Sequence, residues 1–192
     1  MKFSVNWLKE LLHFDISTAD IANELTMLGL EVDGIEAAAA DFSGVVVGHI
    51  VVCQQHPNAD RLKVCEVDIG KNNHLHIVCG GANAREGIKV AVATVGAVLP
   101  GDFKIKKSKL RGEVSEGMLC SESELGLTEQ SSGIMELPQD APAGEDVRDY
   151  LQLNDDIIDI DLTPDRGDCL SLQGIARDVV AYHREQIKPL EV

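Results

Sequence analysis

The first forty residues place their apolar side chains at helical spacing. In "SVNWLKELLHF", Leu8, Leu11 and Leu12 share one face, and Ser4 or Asn6 stands where an N-cap belongs. In "STADIANELTMLGLEV", Ile21, Ala22, Leu25 and Leu28 form a second stripe behind Ser17 or Thr18, and Gly29 stands where a helix stops. Two helices this short cannot bury their apolar faces unaided, so a partner is expected elsewhere in the chain.

From Gly44 the period changes from helical to two. "GVVVGHIVVCQQHP" is a long β-branched run with Gly48 inside it, which predicts a bulge or bend there. In "RLKVCEVDIG", Lys63, Cys65, Val67 and Ile69 point one way and Leu62, Val64, Glu66 and Asp68 the other. "HLHIVCGG" and "IKVAVATVGAVLPG" follow, each closed by glycine or Pro-Gly. In "FKIKKSKLRG", Phe103 and Ile105 are expected inward, and the adjacent Lys106 and Lys107 predict a bulge, after which Ser108 and Leu110 turn inward. Short curved strands separated by turns imply a small closed barrel.

Beyond the barrel, residues 116–165 are acidic and rich in loops. "DIIDIDLTPDR" is a strand with Ile158, Ile160 and Leu162 inward and Asp159 and Asp161 outward. "DCLSLQGIARDVVAYH" is a helix whose face is Leu172, Ile175, Ala176, Val179 and Val180, capped by Asp168 or Ser171. These elements supply the partner the N-terminal helices need. The expected fold is therefore α+β: a five-stranded barrel over 41–149, inserted into a discontinuous α+β domain formed by 1–40 and 150–192.

Composition agrees with a packed chain. Of 192 residues, 44% are apolar and only 4% aromatic, so an aliphatic core is expected. No apolar run approaches the length of a membrane-spanning helix, and the start "MKFSVNWLKELL" lacks the apolar core of a signal peptide. The five cysteines form no C-x-x-C pair and read as buried thiols in a reducing cytoplasm. Charge is uneven. The formal net charge is −15, yet residues 44–115 hold ten Lys and Arg against six Asp and Glu, a net of +4 that leaves −19 for the remainder. Lys104, Lys106, Lys107, Lys109 and Arg111 fall within eight positions of that segment.

Three segments resemble a known module. "CQQHPNADRLKVCEVDIG", "IVCGGANAREGIKVAVATVGAVLPG" and "KIKKSKLRGEVSEGMLCSESELGL" resemble the tRNA-binding OB-fold shared by several aminoacyl-tRNA synthetases and by free-standing tRNA-binding proteins. The flanks "MKFSVNWLKELL", "LTMLGLEVDGIE" and "LTPDRGDCLSLQGIARDVVAY" resemble the N-terminal region of the bacterial phenylalanyl-tRNA synthetase β-subunit family. The resemblance runs in order over nearly the whole chain. It departs at Asp165, where that family usually carries Asn; Asp keeps the acceptor oxygen but loses the amide donor, so a turn or cap is expected to change.

The resemblance implies an intact (αβ)₂ ligase that charges tRNA(Phe) with phenylalanine using ATP and Mg²⁺. Its partners would be tRNA, the α subunit and a second β subunit, with no membrane and no DNA. This stretch would hold no cofactor of its own and no catalytic residue. Its expected duty is auxiliary: tRNA binding and assembly. A purely structural scaffold and a free-standing RNA-binding protein are the alternatives.

Within that frame the basic run is the first candidate for RNA contact, since clustered cations displace counterions from phosphates. The competing reading is lysine protection of an exposed sheet edge. His56 and Arg61 in "HPNADRL" are further candidates, against a turn in which Pro57 ends one strand and Asn58 and Asp60 close side-chain turns. His74 and His76 share a strand face but lack the neighbours a metal site needs. Cys120–Ser121 has no adjacent base, and "CGGAN" matches no phosphate-binding loop.

Overall fold

The computed structural model describes residues 1–71 and 74–189. In chain order the first half contains β1 (Lys2–Ser4), α1 (Val5–Glu10), α2 (Thr18–Met27), β2 (Glu31–Ala37), β3 (Ser43–Gln55), β4 (Lys63–Asp68), β5 (Leu75–Cys79) and β6 (Lys89–Leu99). Then follow β7 (Phe103–Lys104), β8 (Ser108–Leu110), β9 (Glu113–Ser115), β10 (Gly117–Leu119), β11 (Glu136–Leu137), α3 (Val147–Tyr150), β12 (Asp156–Asp161) and α4 (Leu172–Tyr182). The chain divides into two compact units, one made of 1–38 and 154–192, the other of 39–153.

In the discontinuous unit, β12 is the centre of an antiparallel three-stranded sheet in the order β1-β12-β2. Ile158 pairs with Phe3 on one side and Ile35 on the other. Ile158 and Ile160 are fully buried against Leu8, Ile21, Leu25, Ile175 and Val179, so both chain ends share one core. Each such aliphatic side chain contributes about 1.5–3 kcal/mol through burial. Ser4, Ser17 and Ser171 cap α1, α2 and α4 through their hydroxyls, and Gly29, at φ 84°, ends α2 in the left-handed region.

The acidic residues here have structural work. Asp155 accepts from Asn6 N–H (2.9 Å) and from the Ser4 hydroxyl, so it anchors the start of α1. Asp156 accepts from the Thr18 hydroxyl at 2.6 Å, at the first turn of α2. Carboxylates at helix N-termini satisfy free N–H groups and meet the positive end of the helix dipole.

The central unit is mostly sheet. Its strands follow the order β10-β6-β3-β4-β5, and the two-residue strands β7 and β11 also pair with β6, giving seven strands instead of five. β8 and β9 form a separate hairpin. The sheet curls because β3 serves two partners. Its first half pairs with β6 and its second half with β4, and His49 is shared, opposite Lys89 and Asp68. Register shifts lie at Ser43/Val45 and Ile50/Val52. Gly48 is therefore not the bulge its position predicted. A Cβ there would lie 2.4 Å from Val92 Cγ2 and 2.7 Å from Val67 Cγ1, so glycine permits close interior packing.

The two ends of the strand path also approach each other. Glu116 N–H donates to His76 O at 2.8 Å, and Val78 N–H donates to the buried Ser115 hydroxyl at 3.0 Å. Cys65, Val67 and Ile69 point into the core, as the alternation predicted.

Candidate nucleic-acid interface

The basic run does not form one bulged strand. Phe103 and Lys104 pair with β6, and Ile105 turns inward, donating its N–H to Ala97 O (2.8 Å) and accepting from Gly96 N–H (2.9 Å). The chain then leaves that sheet for the β8–β9 hairpin, where Ser108 and Leu110 are exposed. The hairpin turns on Arg111 (φ 51°) and Gly112 (φ 107°). Two successive positive φ angles mark the two-residue turn whose twist matches antiparallel strands. Phe103, expected inward, is 58% exposed. The reason is that β7 is two residues long and pairs along one side only, with β6.

The five cations are not equivalent. Lys107 donates to Glu116 Oε1 at 2.8 Å, and that ammonium holds the Glu116 carboxyl below the usual carboxylate range. Among the described residues, Lys104, Lys106, Lys109 and Arg111 are exposed and make no ion pair. Arg61 is exposed on the turn before β4.

His56 lies at a different level. It is 3% exposed, and both ring nitrogens are engaged. Nδ1 accepts from Asn58 N–H at 3.0 Å, which puts the ring proton on Nε2, where it is shared with Leu110 O at 3.1 Å. The Asn58 side chain donates to Arg111 O at 3.4 Å. The "HPNADRL" turn is thus fastened to the tip of the basic hairpin. His56 holds the cations' scaffold and has no face to offer RNA, which corrects its place among the contact candidates. The turn is closed by His56, by His56 N–H to Leu62 O (3.0 Å) and by the Gln55 amide, whereas the Asn58 side chain reaches outward to the hairpin.

A cleft of about 790 Å³ runs beside β5 and β10, bordered by the basic run. Phe103, Lys104 and Lys106 stand along it, with Ser108 and Ser121. Among the described residues its lining carboxylate is Glu124, which accepts from Ser121 N–H and from the Ser121 hydroxyl, each at 2.8 Å.

Elsewhere, His76 Nδ1 is bound to Val114 O at 2.6 Å, and His74 is exposed. Burial pushes the Cys120 thiol up to about 12, which leaves it a weak nucleophile at neutral pH. The pattern of the sequence did not disclose a group formed by Asp168, Cys169 and Asp178. Arg166 lies among them, donating to Asp168, Asp178 and Cys169, and also to Leu28 O at the end of α2. Its guanidinium supplies the positive charge a cation would otherwise bring. Asp165 sits in the adjoining turn, where Arg166 N–H donates to Thr163 O, and a hydrogen bond from Thr163 lowers its carboxyl below the ordinary value.

Residues 45–146 match the family described as "Putative tRNA binding domain". The chain belongs to this tRNA-binding-domain family. Along its full length the chain is similar to larger proteins. It is 62% identical to the phenylalanine–tRNA ligase beta subunit of Pasteurella multocida over 93% of this chain and 22% of that one. It is 57% identical to the corresponding protein of Pseudoalteromonas translucida over 100% of this chain and 24% of that one. The chain thus spans about a quarter of the length of these curated relatives. A solved MetRS related protein from Pyrococcus horikoshii aligns with 70% of this chain and 99% of that chain at 19% identity, with a TM-score of 0.40, and nothing below rests on it. The tRNA-binding-domain match covers β3 to β10, the β8–β9 hairpin and the whole basic run.

Proposed function

We propose that this chain is the tRNA-contacting and assembly region of a phenylalanine–tRNA ligase β subunit, and that its central unit is an OB-type barrel. The strand order supports the barrel. Read as a ring, β3-β4-β5-β10-β6 returns to β3, and the Glu116–His76 hydrogen bond bridges the seam between the ends. Two domains follow from the same topology: the barrel over about 41–149, and the α+β unit made by both chain ends.

The observation that carries the function is the group of four exposed cations that, among the described residues, make no ion pair, on a segment of net +4 within a chain of −15. Such a group neutralises phosphates and carries affinity without sequence information. Lys104, Lys106, Lys109 and Arg111 are the contacts proposed, with Arg61 adjacent; Lys107 is committed to Glu116 and His56 positions the hairpin.

The intact enzyme would join phenylalanine to tRNA(Phe) with ATP and Mg²⁺, in the cytoplasm, as an (αβ)₂ assembly. The residues present here do not fit Mg²⁺. The one group of potential ligands among the described residues includes a thiol and is bound by Arg166, whereas Mg²⁺ requires oxygen ligands in octahedral array. By its resemblance to the synthetase family, catalysis is assigned outside this stretch, which by itself would neither activate phenylalanine nor deacylate tRNA.

The test is a tRNA titration at several salt concentrations. If three of the four cations reach phosphates together, the log–log slope is about −2 to −3, at roughly −0.7 to −0.9 per contact. Replacing Lys104, Lys106 and Lys109 by Ala flattens the slope, while Lys107→Ala changes it far less. Equal slopes for wild type and triple variant, or no binding at low salt, would leave the cations as edge protection and the unit as scaffold.

A further inference from the structure

Phosphate contacts alone do not account for Phe103. Its ring is 58% exposed in a unit whose other aromatics, Phe42 and Tyr150, are buried or half-buried. It borders the seam cleft together with two cations free of ion pairs, Lys104 and Lys106. The cleft's volume, about 790 Å³, falls within the roughly 300–1,000 Å³ usual for ligand clefts. Its serine hydroxyls offer both donors and acceptors. The carboxylate on its walls, Glu124, is engaged by Ser121. A flat apolar surface, flanking positive charge and nearby hydroxyls fit a planar heteroaromatic ring carried on a polyanion.

We propose that the cleft takes an unpaired nucleotide, its base stacked on Phe103 and its flanking phosphates held by Lys104 and Lys106. The inference rests on the tRNA-binding reading above and adds to it a preference for single-stranded over paired RNA. A base inside a duplex has both faces covered by its neighbours and has none to give the ring, whereas any unpaired base has a free face whatever its identity. The site therefore selects for strandedness and not for sequence. Phe103 adds little to the core, so removing it tests binding and not folding.

The experiment titrates the 192-residue chain with four labelled RNAs: a short single strand, its blunt duplex, the duplex with an unpaired 3′ tail, and a stem-loop. Phe103→Ala is expected to weaken the single strand by about 5- to 150-fold, the range set by stacking on one aromatic ring. Blunt-duplex binding stays essentially unchanged, and Phe103→Tyr restores the single-strand affinity. Whichever of the tailed duplex and the stem-loop shares the loss identifies the unpaired element, a 3′ end or a loop. Equal loss on all four RNAs, or no loss on the single strand, overturns the subsite. If Phe103→Ala is silent while tRNA binding keeps its salt slope, the subsite alone fails. If wild type binds none of the RNAs at low salt, the tRNA reading fails and takes the subsite with it.

Discussion

His56 offers a test that separates a local turn from the link it makes to the basic hairpin. Its Nδ1 serves the turn, through Asn58 N–H at 3.0 Å, and its Nε2 serves the hairpin, through Leu110 O at 3.1 Å. Asn at this position keeps an oxygen that can accept from the backbone N–H two residues on, and it loses the reach to Leu110. Gln reaches farther and keeps a donor for Leu110 O, but it gives up the turn. Each neutral hydrogen bond is worth about 0.5–1.5 kcal/mol net, and a buried group left without a partner costs about 1–3 kcal/mol. His56→Asn is therefore expected to lose about 1–3 kcal/mol, and His56→Ala, which removes both bonds, roughly 2–4 kcal/mol. At about 2–4 °C per kcal/mol for a chain of this size, the Asn variant melts a few degrees lower. The decisive measurement is amide exchange. His56→Asn should speed exchange across 108–115 and leave the 56–62 turn protected, and His56→Gln should do the reverse. If the two variants exchange alike, or if the hairpin amides do not respond, His56 does not fasten the hairpin.

Two further outcomes follow from the packing. Gly48→Ala drives a methyl against Val92 and Val67 in the interior, so urea denaturation is expected to show a loss of about 1–3 kcal/mol, partly recovered by adding Val92→Ala; a neutral single variant would refute the close-packing account. Residues 39–153 alone are expected to melt cooperatively, because both of their apolar clusters are drawn wholly from within that span, whereas residues 1–38 alone are expected to stay unfolded; a helical circular dichroism spectrum from the latter would overturn this.

Much of the fold was legible because burial imposes periodicity. Ile158 and Ile160 alternate with Asp159 and Asp161, and Leu8, Ile21 and Leu25 recur at helical spacing; all of these apolar residues are fully buried. The stops were legible because Gly29 and the cap serines have local mechanisms. What failed was the basic run. Its alternation through Phe103 and Ile105 predicted one bulged strand, but only Ile105 turned inward. Period-two reasoning assumes that a strand stays in one sheet, and here the chain leaves β6 after Lys104 and pairs anew at Ser108. The turn around His56 is legible, but its link to the hairpin is not, because the two partners differ greatly in sequence distance: Asn58 is two residues away and Leu110 is 54. No local pattern announces such a bond. The bonds of Asp155 and Asp156 are hidden from local pattern for the same reason, since the helix starts they meet lie about 140 to 150 residues earlier.

The distribution of charge then has a physical account that net charge conceals. Some acids in this chain are engaged by specific donors: Asp155 and Asp156 at helix starts, Glu116 by Lys107, Glu136 by Arg85, and Asp168 and Asp178 by Arg166. An acid paired with a cation repels an approaching phosphate less than an unpaired one at the same distance. Between Lys104 and Arg111 the reverse holds, because four of five cations lack an ion pair among the described residues and remain fully available. A polyanion thus meets concentrated attraction at one hairpin and its strand. At a Debye length of about 8–10 Å in physiological salt, the local density of cations dominates at contact, while the −19 of the remainder acts chiefly to turn the molecule. The formal charge of −15 is therefore compatible with RNA binding. The binding organised this way is expected to be weak overall, to depend on salt with a slope of about −2 to −3, and to lose most of that slope when three lysines on one short segment are removed.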